Sequence, residues 1–496
     1  MFNNSAQINI LNKTNLVLLL AILLYGFGYL FIGAFYSVPN AEDLSLSANA
    51  KNHGLLFSVI EVLVNYDGRY FTNILQALSP LAFGCISCYK YITVFSIVLP
   101  IFCLSFFLSS IASHINKIQI FFLSALFVLI NYAISPSIVH QIYWMSSSFV
   151  YHYSWCFYLL WTGSFIQVLK AKNSSSKFRW FLLSTLLLVC SMGMNEMFLV
   201  INGVSLMAFS FYVWEYAKTD FAFLWPLLAS AALSIVFFLS NPGILKRIHS
   251  LETQQSGIRP LDSLAKTVSH FSQELLSYFV YLPFLLPLSL LFILFFFKEL
   301  QLKMKFSFYF LLFPFVMLPF ALLTFYMPMG FETSIPFRIY TTIYFGFLLY
   351  STILVPLYFH SKISSVLQSK KQKFQNYLIL VCLLILSASF FMINNNISLL
   401  KADFHSGKMK NLDAVSKVRY ALIKDSKNNI DTCWKEATIP ALSDTPKSIY
   451  HQPDLKANRT EPYWNQAFEK YFLINEVRLS GDTLSLLKTL QSQKIL

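Results

Sequence analysis

Residues 16–43 read LVLLLAILLYGFGYLFIGAFYSVPNAED. From Leu16 to Val38 there is no charge, and as a helix the stretch is long enough to cross a hydrocarbon core of about 30 Å. Lys13 precedes it and no A-x-A-like cleavage site follows, so a retained span is expected rather than a signal peptide that is removed. Runs of the same kind recur near Tyr91–Ser113, Ile118–Ile134, Phe149–Leu169, Phe178–Met192 and Met197–Tyr216. Others lie near Phe221–Ser240, Leu276–Phe297, Phe306–Tyr326, Ile339–His360 and Tyr377–Ile393. Together they predict about eleven transmembrane helices. Apolar residues make up 56% of the 496, charged residues 12%, and mean hydropathy is +0.57. So little charge cannot cover a water-soluble surface, which excludes a disordered chain, a coiled coil and an ordinary soluble enzyme. The expected fold class is an all-α polytopic membrane protein.

The net charge is +14. In a membrane protein such an excess belongs to cytoplasmic loops and anionic lipid, so membrane lipids are expected partners and nucleic acid is not. With the N-terminus inside, the inner loops hold Lys13, Lys117, Lys170, Lys172, Lys177, Arg179 and Lys218. They also hold Lys298, Lys303, Lys305, Lys362, Lys370, Lys371 and Lys373. The outer loops hold fewer: Lys51, Arg69, Lys90, Lys246, Arg247, Arg259, Lys266 and Arg338. The positive-inside rule therefore places the N-terminus in the cytoplasm and the segment after the last span outside. Residues 1–393 form the expected transmembrane domain, with residues 37–90 as its first outer loop. Residues 394–496 lack a long apolar run and read as a small soluble extracytoplasmic C-terminal domain. Within it, Tyr463–Val477 is aromatic-rich and is expected to pack back on the rest. Cys85-Ile-Ser-Cys88 has CxxC spacing without a second pair or a nearby His, so a structural role is expected over a redox or metal site.

Ionisable residues outside the cytoplasmic loops carry the functional information. After the first span come Pro39, Asn40, Ala41, Glu42 and Asp43. Adjacent carboxylates repel, which raises the pKa of one and suits it to general-base work. The competing structural role is an N-cap, by Asn40 or Asp43, for a helix over Leu44–Val64. At Asn65-Tyr66-Asp67-Gly68-Arg69-Tyr70, Gly68 permits a reversal that lets Asp67 and Arg69 face one cavity. Phe71–Leu81 is too short to span and is expected in the interface plane. The loop Pro136–Phe149 is uncharged and offers Tyr143, Trp144 and Ser146–Ser148, which suit either a sugar face or an aromatic belt. Glu196 needs a partner at membrane depth, with the outer-loop arginines as candidates. Asn241-Pro242-Gly243 leads into Lys246 and Arg247, and Arg338 opens a span on the cation-poor side. All three cations are candidates for an anion such as a lipid phosphate. No Walker loop, GxGxxG, HExxH or GxSxG occurs.

The segments PNAEDLSL, NYDGRYF, GMNE, SNPGILKR and IPFR, in this layout, resemble the GT-C class of membrane glycosyltransferases. The whole is similar to the bacterial glucosyltransferases that decorate O-antigens and other surface glycans. The resemblance implies a bacterial inner-membrane, multi-pass enzyme. It implies transfer of a sugar, with inversion, from a polyprenyl-phosphate donor to a glycan or lipid acceptor on the outer face, without a nucleotide-sugar. Asp43 would be the general base, with Glu42 as neighbour or substitute. Arg247, Arg338 and Lys246 would hold the donor phosphate. Asp67, Arg69, Glu196, His53, Tyr143 and Trp144 would bind sugar or acceptor, or orient other groups. Some members of the class use a divalent metal; no clear ligand set occurs here, so no cofactor is expected. Two other functions share the basic outer site: a transporter or flippase of lipid-linked sugars, and a glycan polymerase or ligase. The first should show internal repeats and ionisable residues deep in several spans, and neither is evident.

Overall fold

The computed structural model describes residues 12–112, 115–216, 223–246, 260–296, 318–319, 321–323, 336–354, 372–428, 436–442, 444–450, 455 and 462–480. The chain is overwhelmingly helical, because in an apolar setting a helix satisfies its own backbone hydrogen bonds. The first helix, α1 (Lys13–Tyr36), starts where Asn12 caps it by accepting the N–H of Asn15 at 2.8 Å. It ends before Pro39, with the hydroxyl of Ser37 donating to the carbonyl of Ala34 at 2.7 Å. Among the described residues, six helices are long and apolar enough to cross a membrane: Lys13–Tyr36, Tyr89–Ile111, Lys117–Ile134, Glu196–Trp214, Ser263–Phe295 and Lys373–Met392. The protein is thus a helical, membrane-embedded chain. Helices also occupy the runs near Phe149–Leu169, Phe178–Met192, Phe221–Ser240 and Ile339–His360, the last as far as residue 354. The run near Phe306–Tyr326 lies almost wholly outside the described residues.

The loop after the first span, residues 37–90, is structured throughout. Instead of one helix over Leu44–Val64, it forms α2 (Ala41–His53) and α3 (Leu55–Asn65), broken at Gly54. Gly54 has φ of 91°, which an L side chain rarely adopts. α3 leaves Leu55, Leu56, Phe57, Ile60 and Val64 exposed on one side. The segment expected in the interface plane forms α4 (Tyr70–Ala77), which buries Thr72, Asn73, Gln76 and Ala77. α4 is docked by Phe71 N–H donating to the Gly193 carbonyl (3.0 Å) and by the Thr72 hydroxyl donating to the Met194 carbonyl (2.8 Å). A Cys85–Cys88 disulfide then closes the turn before α5 (Tyr89–Ile111).

The C-terminal part holds helices Asn396–His405, Lys408–Asn428 and Pro462–Phe472, and two parallel strands, β1 (Glu436–Ile439) and β2 (Glu476–Leu479). The sequence suggests a separate unit over 394–496; among the described residues, its apolar side chains share clusters with α1 and α2. Ile397, Leu400, Met409 and Leu412 join the cluster that contains α1, while Ile423, Phe468, Tyr471 and Val477 join the one that contains Ala41 and Leu44 of α2. Polar clamps reinforce this. The ammonium of Lys51 donates to the Tyr471 carbonyl at 2.6 Å and sits 3.8 Å from that residue's ring centroid. The side-chain amide of Asn52 donates to the Lys470 carbonyl (3.0 Å), and Lys90 pairs with Asp413 at 2.8 Å.

Disulfides persist in oxidising compartments. With the first loop on the outer face, alkylation of the unfolded protein without reductant should leave Cys85 and Cys88 unmodified, and prior reduction should expose both. Modification of both without reductant, read by peptide mass, would place this turn in a reducing compartment.

Candidate functional site

The site begins at the break between α1 and α2. Pro39 and Asn40 end the span, and the next turn presents Glu42 and Asp43 to different surroundings. Asp43 is fully buried. Its Oδ1 accepts from the N–H and the hydroxyl of Ser146, at 2.8 and 2.6 Å. Its Oδ2 accepts from the N–H of Asn40 at 3.1 Å and lies 2.8 Å from the hydroxyl of Tyr89. The Tyr89 oxygen is also 2.7 Å from the Tyr143 carbonyl and accepts the N–H of Met145 at 3.1 Å. One phenolic proton cannot fill both short oxygen–oxygen contacts. Both are filled when Asp43 is the neutral acid, donating to Tyr89 while Tyr89 donates to Tyr143. Burial favours the same form and pushes the Asp43 carboxyl above its usual range, against the hydrogen bonds from Ser146, Tyr89 and Asn40. Asp43, expected from sequence as the base, therefore has no oxygen left for a substrate.

Glu42 is different. Among the described residues its carboxylate makes no hydrogen bond or ion pair. Burial raises its pKa above the ordinary value, Arg338 is the strongest opposing influence, Asp43 adds to the rise and Arg69 opposes it. Arg338 opens the helix Phe337–Leu349 after Pro336. Its guanidinium carbon lies 5.5 Å from the Trp144 ring centroid and 6.0 Å from that of Tyr151, a cation–π arrangement. Its Nε is buried without a hydrogen-bond partner among the described residues.

Trp144 and Ser146 come from one short segment, Met145–Ser147 with its flanking residue. Two π-helical turns, Val139–Tyr143 and Ser148–His152, bracket it. Widened turns of this kind often mark functional positions, since they re-aim side chains within a helix. Here they send Trp144 toward Arg338 and Ser146 toward Asp43.

Arg69 is already engaged. Its Nε donates to Glu196 Oε2 at 3.2 Å, and its NH2 group lies 3.2 and 3.0 Å from the two Glu196 oxygens. This is the partner that the sequence leaves open for Glu196. Asp67 accepts from the Arg69 N–H (3.1 Å) and from the Asn73 side chain (3.0 Å). Residues 242–246 are helical and press on this turn. A Cβ at Gly243 would meet the Leu63 carbonyl at 2.5 Å, and one at Gly68 would meet Ile244 at 2.7 Å, so both positions need glycine for close approach. Lys246 donates to Asn65 Oδ1 at 2.8 Å, at the exposed edge of the site. Arg247 lies outside the described residues.

Two expected binders sit elsewhere. The Tyr143 hydroxyl donates to the Leu30 carbonyl at 2.9 Å, locked against α1, and faces no cleft. His53 closes the far end of α2 against Phe57, about 16 Å along the helix from Glu42. Among the described residues no group of three or more His, Cys, Asp or Glu could hold a metal ion. Tyr89 and Tyr151 were not singled out from sequence. A Tyr at the start of an apolar run reads as an interface anchor, and only the fold reveals its contact with Asp43. Compared with protein families, curated proteins and solved structures, the chain matches none. What the site can do therefore rests on its chemistry: a carboxylate without a hydrogen bond or ion pair among the described residues lies within coulombic reach of an arginine that has two aromatic rings 5.5 and 6.0 Å from its guanidinium carbon.

Asp43→Asn should keep the fold, at a cost of about 1 kcal/mol, because an amide can accept from Ser146 and donate to Tyr89. Tyr89→Phe should cost more, about 1–3 kcal/mol, by stranding Asp43 and the Tyr143 carbonyl. A carboxyl whose folded-state pKa is raised contributes stability at low pH that is lost as pH rises through that value. Thermal unfolding in detergent across pH should show stability falling as pH rises above the ordinary carboxylate range in the wild type, and a smaller fall in Asp43→Asn, where Glu42 still contributes.

Proposed function

We propose that the chain is an inverting glycosyltransferase of the GT-C type, moving a sugar from a polyprenyl-phosphate donor to a glycan or lipid acceptor at the outer face of a bacterial inner membrane. The observation that supports this reading is the buried Glu42 carboxyl within coulombic reach of Arg338, whose guanidinium carbon lies 5.5 and 6.0 Å from the rings of Trp144 and Tyr151. Inversion at an anomeric carbon needs a base on one side of the sugar and a group that takes up negative charge on the other. Glu42 supplies the base, replacing Asp43 in that role. The acceptor hydroxyl gives its proton to Glu42 as its oxygen bonds to the anomeric carbon. The bond from that carbon to the phosphate oxygen breaks, and its electron pair leaves on the polyprenyl phosphate.

Arg338 is suited to that phosphate. A guanidinium offers a fork of donors to phosphate oxygens, and its Nε here is buried and unsatisfied until an anion arrives. Trp144 and Tyr151 fix its plane and leave its charge weakly hydrated. Lys246, with Arg247 beside it in sequence, adds positive charge at the edge. Arg69, Glu196 and Asp67 hold the neighbouring turn in place, and their polar edges are positions for sugar hydroxyls. The raised Glu42 carboxyl brings the base nearer to neutrality, where general-base catalysis works best.

Glu42→Gln should reduce transfer at least about a hundredfold while leaving donor binding intact. In the wild type, the rate should fall on the acid side, with a midpoint above the ordinary glutamate value, and Glu42→Asp should move that midpoint. Transfer by Glu42→Gln at the wild-type rate would remove Glu42 from the chemistry. Arg338→Ala should weaken binding of undecaprenyl phosphate by roughly 2–5 kcal/mol. Unchanged binding, measured on the purified protein, would refute the phosphate site.

A further inference from the structure

The helix Pro462–Phe472 is firmly placed at one end and open at the other. Phe468 and Tyr471 are buried, and Lys51 and Asn52 bind the backbone of residues 470 and 471. The side chain of Asn465 ties the helix start to β2, donating to the Val477 carbonyl at 2.9 Å. Tyr463, in contrast, is 47% exposed, with its ring edge-on to Trp464 at 5.2 Å. Lys51 and Asn52 hold the far end of the helix, so its start lies toward the start of α2, where Tyr463 comes near the Ser45 side chain. Ser45 lies three residues after Glu42, on the same face of α2, so the Tyr463 ring stands one helical turn from that carboxylate. Tyr66, at the end of α3 just before Asp67, is 55% exposed and also near Tyr463.

Rings that stay in water beside an unengaged carboxylate present apolar faces where a sugar ring can stack, with hydroxyl groups at their edges for hydrogen bonding. Arg338 acts on Glu42 from the side of its own aromatic neighbours, while Tyr463 and Tyr66 are the exposed rings near it. We infer that Tyr463, carried by the C-terminal segment, and Tyr66, carried by the first outer loop, form the acceptor subsite, holding a pyranose ring of a glycan with one hydroxyl directed at Glu42. This assignment rests on the proposed role of Glu42. It makes the two tyrosines specificity-determining residues contributed by segments nearly 400 residues apart.

The test uses the purified full-length protein in detergent, with maltotetraose as probe, read by saturation-transfer NMR and titration. The wild type should bind saturably, and Tyr463→Ala and Tyr66→Ala should each weaken binding about five- to tenfold. Tyr463→Phe and Tyr463→Trp keep a ring face and should bind within about twofold of wild type, which separates stacking from misfolding. Undecaprenyl phosphate binding should be unchanged in all four. Absence of saccharide binding in the wild type, or wild-type affinity in both alanine variants, overturns the subsite. Glu42→Gln should still bind the saccharide. If that variant also transferred sugar normally, the base assignment would fail while the saccharide site stood.

Discussion

The arrangement depends on one buried carboxyl. Asp43 joins the start of α2 to the Ser146 turn and to the first residue of α5. Those three elements arrive from positions up to 103 residues apart in sequence. Burying a carboxyl is costly unless its hydrogen bonds are met or its charge is given up. Here both conditions hold together: backbone and side-chain donors surround the group, and the contact with Tyr89 is complete only with the proton retained. A neutral acid in this position works as a connector, and it leaves the negative charge of the acidic pair on Glu42.

That division explains how neighbouring carboxylates can sit in one helical turn without mutual destabilisation. Two ionised groups side by side in a buried turn would repel, and one pKa would have to rise in any case. Burial raises both, and the fold separates them by encircling Asp43 with donors and leaving Glu42 under the influence of Arg338. On the other side of the site the charges are paired differently. Arg69 is paired with both oxygens of Glu196, which holds the shape of the turn. Arg338 has aromatic neighbours and an unsatisfied Nε, so it keeps capacity for an anion. Two arginines equivalent by composition are thus separated in function by what surrounds them.

Much of this was legible in the sequence, and the exceptions share a cause. The membrane class follows from hydropathy alone. The acidic pair after the first span, the Asp67–Arg69 turn and the need of Glu196 for a basic partner all follow from charge placed where charge is expensive. Hidden were the contacts set by side-chain direction. Tyr143 and Trp144 are adjacent, yet one locks onto α1 and the other faces Arg338, because π-helical turns shift the register between them. The break at Gly54 was also missed, since a glycine within a helical pattern is tolerated and does not by itself announce a positive φ. The enclosure of Asp43 was hidden because a sequence does not show how many donors will converge on a group.

The C-terminal segment follows the same logic at larger scale. By composition it resembles a separate soluble unit, since it carries charge and has no long apolar run. A domain, however, is defined by a core of its own. Here the apolar residues that could form one are divided between the cluster around α1 and the cluster around α2. Lys51, Asn52 and Lys90 of the first outer loop then clamp its backbone and its Asp413. A segment stabilised in this way cannot move independently of α2, and α2 carries Glu42. A change at Tyr471 or Lys51 would therefore be felt at the start of α2, where Glu42 lies.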